Sequence, residues 1–247
     1  MRAVGDGVAG VAIKDKVFVH SPKGICTTHT VVSATEVVPL GSAGSILSPE
    51  QAALVPLVAA AHSMLVHTPS HSRTDRQSQP QPLLAPGDSV ILDAQAAQSP
   101  MGSVLKQVAA ELGIKIVVHT AGAKEKARLV LCGDGRQSTM KEMLKTVAED
   151  GTLLCFDSNA DTNGSNFTSF KIPYSSAIFS NVCIAGFDFS ALAIICPDSW
   201  RRSVELAVGL VTRTQVHLQI ERVPLADIKS ILALISASSS SVVAVKI

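Results

Sequence analysis

The stretch Leu83–Thr120, LLAPGDSVILDAQAAQSPMGSVLKQVAAELGIKIVVHT, decides the fold. A Gly87–Asp88 turn opens the apolar run DSVILDA, which reads as a strand. GSVLKQVAAELG then repeats apolar residues at helical spacing and stops at Gly113, and IKIVVHT reads as a second strand. A strand–loop–helix–strand unit of this length carries the chain back to start a parallel neighbour. The loop QSPMGS also poses the functional question. A phosphate cradle needs glycines, because the backbone must approach the pyrophosphate and aim N–H groups at it from a helix N-terminus. Gly102 keeps one such position and Ser99 a small polar one, but Pro100 removes a donor and fixes φ. Two readings follow, a working nucleotide site or a strand–turn–helix kept for packing. The second is favoured.

Outward from this unit the alternation continues. RLVLCG reads as a third strand and STMKEMLKTVAEDG as a helix capped by Ser138 and ended by Gly151. TLLCFD is a fourth strand and NVCIAGFDF another. SWRRSVELAVGLVTRTQ, HLQIERV, PLADIKSILALI and VVAVKI then read helix, strand, helix, strand. The expected fold is α/β, a Rossmann-like parallel sheet with helices on both faces. The first forty residues are different: GVAGVAI, DKVFVH and THTVVSATEVVPL are short β-type runs between turns. SPEQAALVPLVAAAHSMLV begins a helix with Ser48 as cap, Pro49 at its first position and Glu50 in its first turn. The segment 68–82, rich in Ser, Gln and Pro, is too polar to build a core and reads as a flexible insert. The domains expected are 1–55, a β-rich remnant; 56–200, a Rossmann-like cofactor domain containing that insert; and 201–247, a segment completing both.

Composition sets the bounds. In 247 residues 47% are hydrophobic, with few aromatics, which suits buried parallel strands under helices. A formal net charge of +1 gives no global field to recruit nucleic acid or a membrane. No apolar run reaches the length of a membrane span, so membrane insertion is not expected. The N-terminus reads as strand material, and any targeting segment is expected to be very short or absent from this chain. Five scattered cysteines, Cys26, Cys132, Cys155, Cys183 and Cys196, form no CxxC pair and read as reduced thiols. No metal site is expected. His20, His29, His62 and His67 are dispersed, and no nucleophile motif or Walker loop appears.

Taken in order, LLAPGDSVIL…MGSVLKQVAAELGIKIVV, EVVPLGSAGSILSPEQAALVPLVAAAHSML, DGTLLCFD, IFSNVCIAGF and ERVPLADIKSILALI resemble the medium-chain dehydrogenase/reductases. Among these the resemblance is greatest to mitochondrial 2-enoyl thioester reductases, with quinone oxidoreductases next. It covers nearly the whole chain. It implies a GroES-like β domain, of which 1–55 would be a remnant; no cofactor is expected to bind, and NADPH is the one the resemblance leaves open. Ser99, Gly102, His119 and Lys124 would be its vestigial cofactor-binding residues. Lys126 is a further basic group beside them.

The departures from the family carry as much meaning. The family's proton-donating tyrosine has no counterpart, since the sole tyrosine, Tyr174, does not match its position. Leu57, Val58 and Ala60 stand where the family has Asn, Pro and Thr. Asp157 and Ser158 stand where it has glycines against the nicotinamide. AGAKEKA replaces a further helix and strand. No catalytic residue is therefore assigned. The expected function is a non-catalytic, reductase-like structural or interaction subunit among the protein subunits of a larger complex. By the resemblance it is mitochondrial, with the mitochondrial ribosome as one setting and RNA contact within that ribonucleoprotein. Arg201 and Arg202 beside Trp200 could provide such a contact, or form a solvated helical turn. The alternative is an NADPH-dependent 2-enoyl thioester or quinone reductase, which would need a partner to restore the proton donor.

Overall fold

The computed structural model describes residues 1–20, 29–66, 84–156, 180–213, 216, 218, 220–224 and 242–246. The chain divides into two compact units, Met1–Ala60 with Phe189–Ile247, and Ala61–Asp188. The seams fall at 60/61 and 188/189, against 55/56 and 200/201 read from the sequence. The polar insert 68–82, the helix read at PLADIKSILALI beyond its first residue, Cys26, His67, Asp157, Ser158 and Tyr174 lie outside the described residues.

The second unit is built on a five-stranded parallel sheet. In chain order its strands are β3 (Ser89–Leu92), β4 (Lys115–Val118), β5 (Ala127–Cys132), β6 (Val147–Phe156) and β7 (Cys183–Phe187). In space they run β4-β3-β5-β6-β7. The central strands are apolar on both faces, as a sheet covered twice requires. Ile91, Val130, Cys132 and Leu153 share one face with Met140, Met143 and Leu144 of helix α4 (Gln137–Lys145). Val90, Leu92, Leu129, Leu131 and Leu154 are buried on the opposite face. Helix α3 (Pro100–Glu111) joins β3 to β4 and buries Val104, Leu105, Val108 and Ala109. Since β4 lies on one side of β3 and β5 on the other, the chain reverses direction across the sheet between β3 and β5. In open α/β sheets, ligands enter outside the carboxyl ends of strands flanking such a crossover.

Turns fit the sequence signals. Ala85 N–H donates to Asp88 Oδ2 at 2.8 Å, and Gly87, at φ +97, donates to the Gly113 carbonyl. Gly113 itself sits at φ +70 after α3, a conformation that L residues with a side chain rarely adopt.

One helix is shorter than the sequence implies. Apolar spacing runs through Met140, Met143, Leu144 and Val147, yet α4 ends at Lys145, where the Thr146 hydroxyl donates to the Met143 carbonyl. Val147 already belongs to β6 and is buried in the same cluster, so the helical period continues across a break. Ser138 is not the cap, since the N-cap position is Arg136. Gly151 does not close a helix. It lies in β6 at a register shift against β5, where an added Cβ would meet the Ala148 carbonyl at 2.8 Å and the Arg128 carbonyl at 2.9 Å.

The first unit holds the antiparallel pair β1 (Val17–Val19) and β2 (Val37–Pro39), a short helix α1 (Ala43–Ile46), and the start of α2 (Pro49–Val66). Ser48 caps α2 as expected: Gln51 N–H donates to Ser48 Oγ while Ser48 N–H donates to Gln51 Oε1. The GVAGVAI run is turns rather than strand, because Gly7, Gly10 and Lys14 all take positive φ. After the sheet come α5 (Phe189–Ile195) and α6 (Pro197–Arg213), then the parallel pair β8 (Ile220–Pro224) and β9 (Val242–Lys246). Phe18, His20, Phe189 and Trp200 form an aromatic cluster with ring centroids 5.6–6.4 Å apart where they meet. Arg201 and Arg202 are exposed on α6. Among the described residues no helix is long and apolar enough to cross a membrane, and no group of His, Cys, Asp and Glu could hold a metal ion.

Candidate functional site: the carboxyl edge of the parallel sheet

The four residues read as cofactor-binding fall in two pairs on this edge. Ser99 and Gly102 meet at the start of α3. Ser99 is buried and is the N-cap: its Oγ accepts from Gly102 N–H at 3.1 Å and donates to the Ala96 carbonyl at 2.7 Å. Ser103 N–H donates to the Ser99 carbonyl and Ser99 N–H to the Ala96 carbonyl. Pro100 has no N–H. At most one N–H of the opening turn, that of Met101, remains for an outside anion.

Gly102 has a different reason to be glycine from the one a phosphate would give. A 3-10 turn, Ala96–Gln98, lies across the helix start, and a Cβ on Gly102 would collide with the Ala96 carbonyl oxygen and stand 2.8 Å from Ala97 Cα. The glycine admits the chain's own backbone. Lys106 Nζ holds the same turn by donating to the Ala97 carbonyl at 2.9 Å. The residues present do not fit a pyrophosphate at this helix.

His119 and Lys124 come together at the end of β4, with Thr120, Ala123 and Glu125. With Ile91, Val117 and Val118 they line a cleft of about 350 Å³. His119 N–H continues the ladder by donating to the Leu92 carbonyl. Lys124 is exposed, as is Lys126.

A third place on this edge, which no sequence motif marks, is tied together by hydrogen bonds around one buried acid. Asp93, the residue after β3, is 1% exposed. Its Oδ1 accepts from Ala96 N–H at 2.7 Å, and its Oδ2 accepts from Gly133 N–H at 2.6 Å and Asp134 N–H at 3.3 Å, both beyond β5. One carboxylate thus spans the crossover. Above it, Arg136 Nη2 donates to Gln95 Oε1 at 2.8 Å, and the same guanidinium pairs with Asp134 at 2.6 Å. Thr139 Oγ1 donates to Asp134 Oδ2 at 2.6 Å. Burial alone would raise the Asp134 carboxyl. Hydrogen bonds from Arg136 and Thr139, with the guanidinium charge, outweigh it and hold the group below its ordinary value. Beneath, Cys132 Sγ donates to the Asp134 carbonyl at 3.3 Å. Burial, helped by the Asp93 charge, pushes that thiol up to about 12, and burial pushes Cys155 up to about 11. Neither is a nucleophile at neutral pH. The signal in the sequence is an acid directly after one apolar run, DSVILDA, and one glycine beyond another, RLVLCGDGR. Only the register of β3 with β5 brings their ends together.

No family model matches the chain, and no curated protein matches it in sequence. Solved structures do. A quinone oxidoreductase of Pseudomonas syringae pv. tomato DC3000 is 17% identical with a TM-score of 0.69, over 99% of this chain and 78% of that one. The mitochondrial 2-enoyl thioester reductase heterodimer of Candida tropicalis is 16% identical with a TM-score of 0.68, over 98% and 76%. A mutant of the Candida reductase solved with NADP and crotonyl-CoA is 16% identical with a TM-score of 0.66, over 98% and 76%.

At these identities the likeness establishes the fold alone, an α/β fold shared with these quinone and enoyl thioester reductases.

Proposed function

We propose that the chain is a non-catalytic, reductase-like structural or interaction subunit that works without a nicotinamide cofactor. The observation that carries this reading is the start of α3. Ser99 and the Ala96 carbonyl engage the turn's own donors, Pro100 offers none, and Gly102 is filled against backbone. A dinucleotide would lose several charge-assisted hydrogen bonds there, each worth about 1.5–3 kcal/mol. Its setting in this reading is a larger assembly of protein subunits in the mitochondrion, with the mitochondrial ribosome and its RNA as the surroundings. The likeness to a mitochondrial reductase supports that setting.

One observation favours a second reading, an NADPH-dependent 2-enoyl thioester or quinone reductase. The cleft at β4 places His119 and Lys124 beside apolar walls, where a phosphorylated nucleoside could lie. Titrating the full chain with NADPH and NADH, followed by nicotinamide fluorescence, separates the two. The first reading expects no saturable binding up to millimolar cofactor. Micromolar binding would transfer the weight to the second, and assays with enoyl thioesters and quinones would follow.

A further inference from the structure

We propose that Asp93 is a built-in anion that closes the crevice between β3 and β5 to phosphate. This rests on the non-catalytic reading and gives it a physical cause at a second place. Backbone N–H groups converging from two loops at a crossover form a natural anion site. Here Ala96, Gly133 and Asp134 converge, and the acceptor is the protein's own carboxylate at 2.7, 2.6 and 3.3 Å. Asp93 also holds its position through the backbone: its N–H donates to the Leu131 carbonyl and its carbonyl accepts from Ala97 N–H. The side chain therefore has little freedom to swing aside for a ligand. Over it runs the strap Gln95–Arg136–Asp134, which engages the nearest cation with two internal partners. Arg136 senses the Asp93 charge as well. A phosphate entering here would meet a fixed negative charge, engaged donors and an engaged guanidinium. The same contacts tie the end of β3 to the end of β5 with no cofactor between them.

Chemical rescue tests this on the full chain. Asp93→Gly removes the carboxylate and leaves the three donors facing a gap, while Asp93→Asn keeps the size and removes the charge. Val108→Ala in α3 serves as a control, destabilised in the core at a residue that makes none of these contacts. Thermal midpoints are read with and without inorganic phosphate, pyrophosphate and formate at constant ionic strength, with amide shifts of Ala96, Gly133 and Asp134 recorded alongside.

The expected result is that phosphate or formate raises the midpoint of Asp93→Gly by about 3 °C or more. The three amides should shift, Val108→Ala should not respond, and wild type should bind pyrophosphate at least ~10-fold more weakly than Asp93→Gly. Should Asp93→Gly fail to fold, Asp93→Asn is read in its place for the gain in pyrophosphate binding. No rescue and no gain in either variant, or pyrophosphate shifting these amides in wild type, would overturn the proposal. NADPH binding to wild type without moving them would defeat the non-catalytic reading and leave the closure by Asp93 standing.

Discussion

Two places on the same carboxyl edge of the sheet, one strand apart, are built in opposite ways. At the crossover between β3 and β5, Asp93, Asp134, Arg136, Thr139 and Gln95 satisfy one another and the surrounding backbone. At the end of β4, the Thr120, Lys124 and Glu125 side chains stand exposed around an apolar-walled cleft. The fold offers both as ligand sites, and the difference shows what each does for this chain. Removing Asp93 from the first leaves buried backbone donors without an acceptor, so that residue holds the structure together. Removing a residue from the second costs little stability, so any role there must be in contact with something outside.

Five substitutions or conditions sharpen that contrast, from the largest effect to the smallest. Asp93→Ala should destabilise by about 4 kcal/mol in urea denaturation, since several buried donors lose a charged acceptor at once. A cost near zero would dissolve the distinction between the two places. Gly102→Ala should cost about 3 kcal/mol, because its Cβ cannot share space with the Ala96 carbonyl oxygen. If Gly102→Ala were instead harmless and lowered only cofactor affinity, the glycine would be serving a ligand.

Cys132 supplies a pH test. Its thiol is held up from 9.0 to about 12 in the folded chain, so the neutral form contributes stability that is fully present below pH 9 and is lost as pH rises toward 12. Cys132→Ser should flatten this alkaline decline in a pH series of denaturation midpoints. Asp134 has the opposite sign: its lowered carboxyl contributes above its ordinary value of 3.8, and the contribution fades as pH falls below that. The smallest effect is expected from Lys124→Ala at the cleft, with a denaturation midpoint unchanged within error. A clear loss of stability would mean that the cleft is structural too.

Much of this was readable in the residues, and the failures have physical causes. The β3–α3–β4 unit was legible because period and stop agree along one short segment, apolar strands and Gly113 at positive φ, whereas Ser99, read as a cofactor residue, is the cap of a helix that starts at Pro100. Ser48 announced α2 as its cap. Where local and tertiary signals separate, the sequence misleads. The helical spacing from Met140 to Val147 spans a helix and a strand that bury the same cluster, so periodicity alone could not place the break at Lys145. Gly102 was visible as special, but a glycine making room for a phosphate and one making room for the Ala96 carbonyl look alike in sequence. Asp93 was invisible for a further reason. Its partners Gly133 and Asp134 lie forty and forty-one positions away and become neighbours only through strand register.

The central claim is that the donors of this edge are engaged from within. Backbone amide hydrogen exchange on the full chain, with and without millimolar NADPH, tests it most directly. The account predicts slow exchange at Ala96, Gly102 and Gly133 in the free protein and no change on adding NADPH. Fast exchange at these amides in the free protein, slowed by NADPH, would contradict it and show that the edge awaits a cofactor.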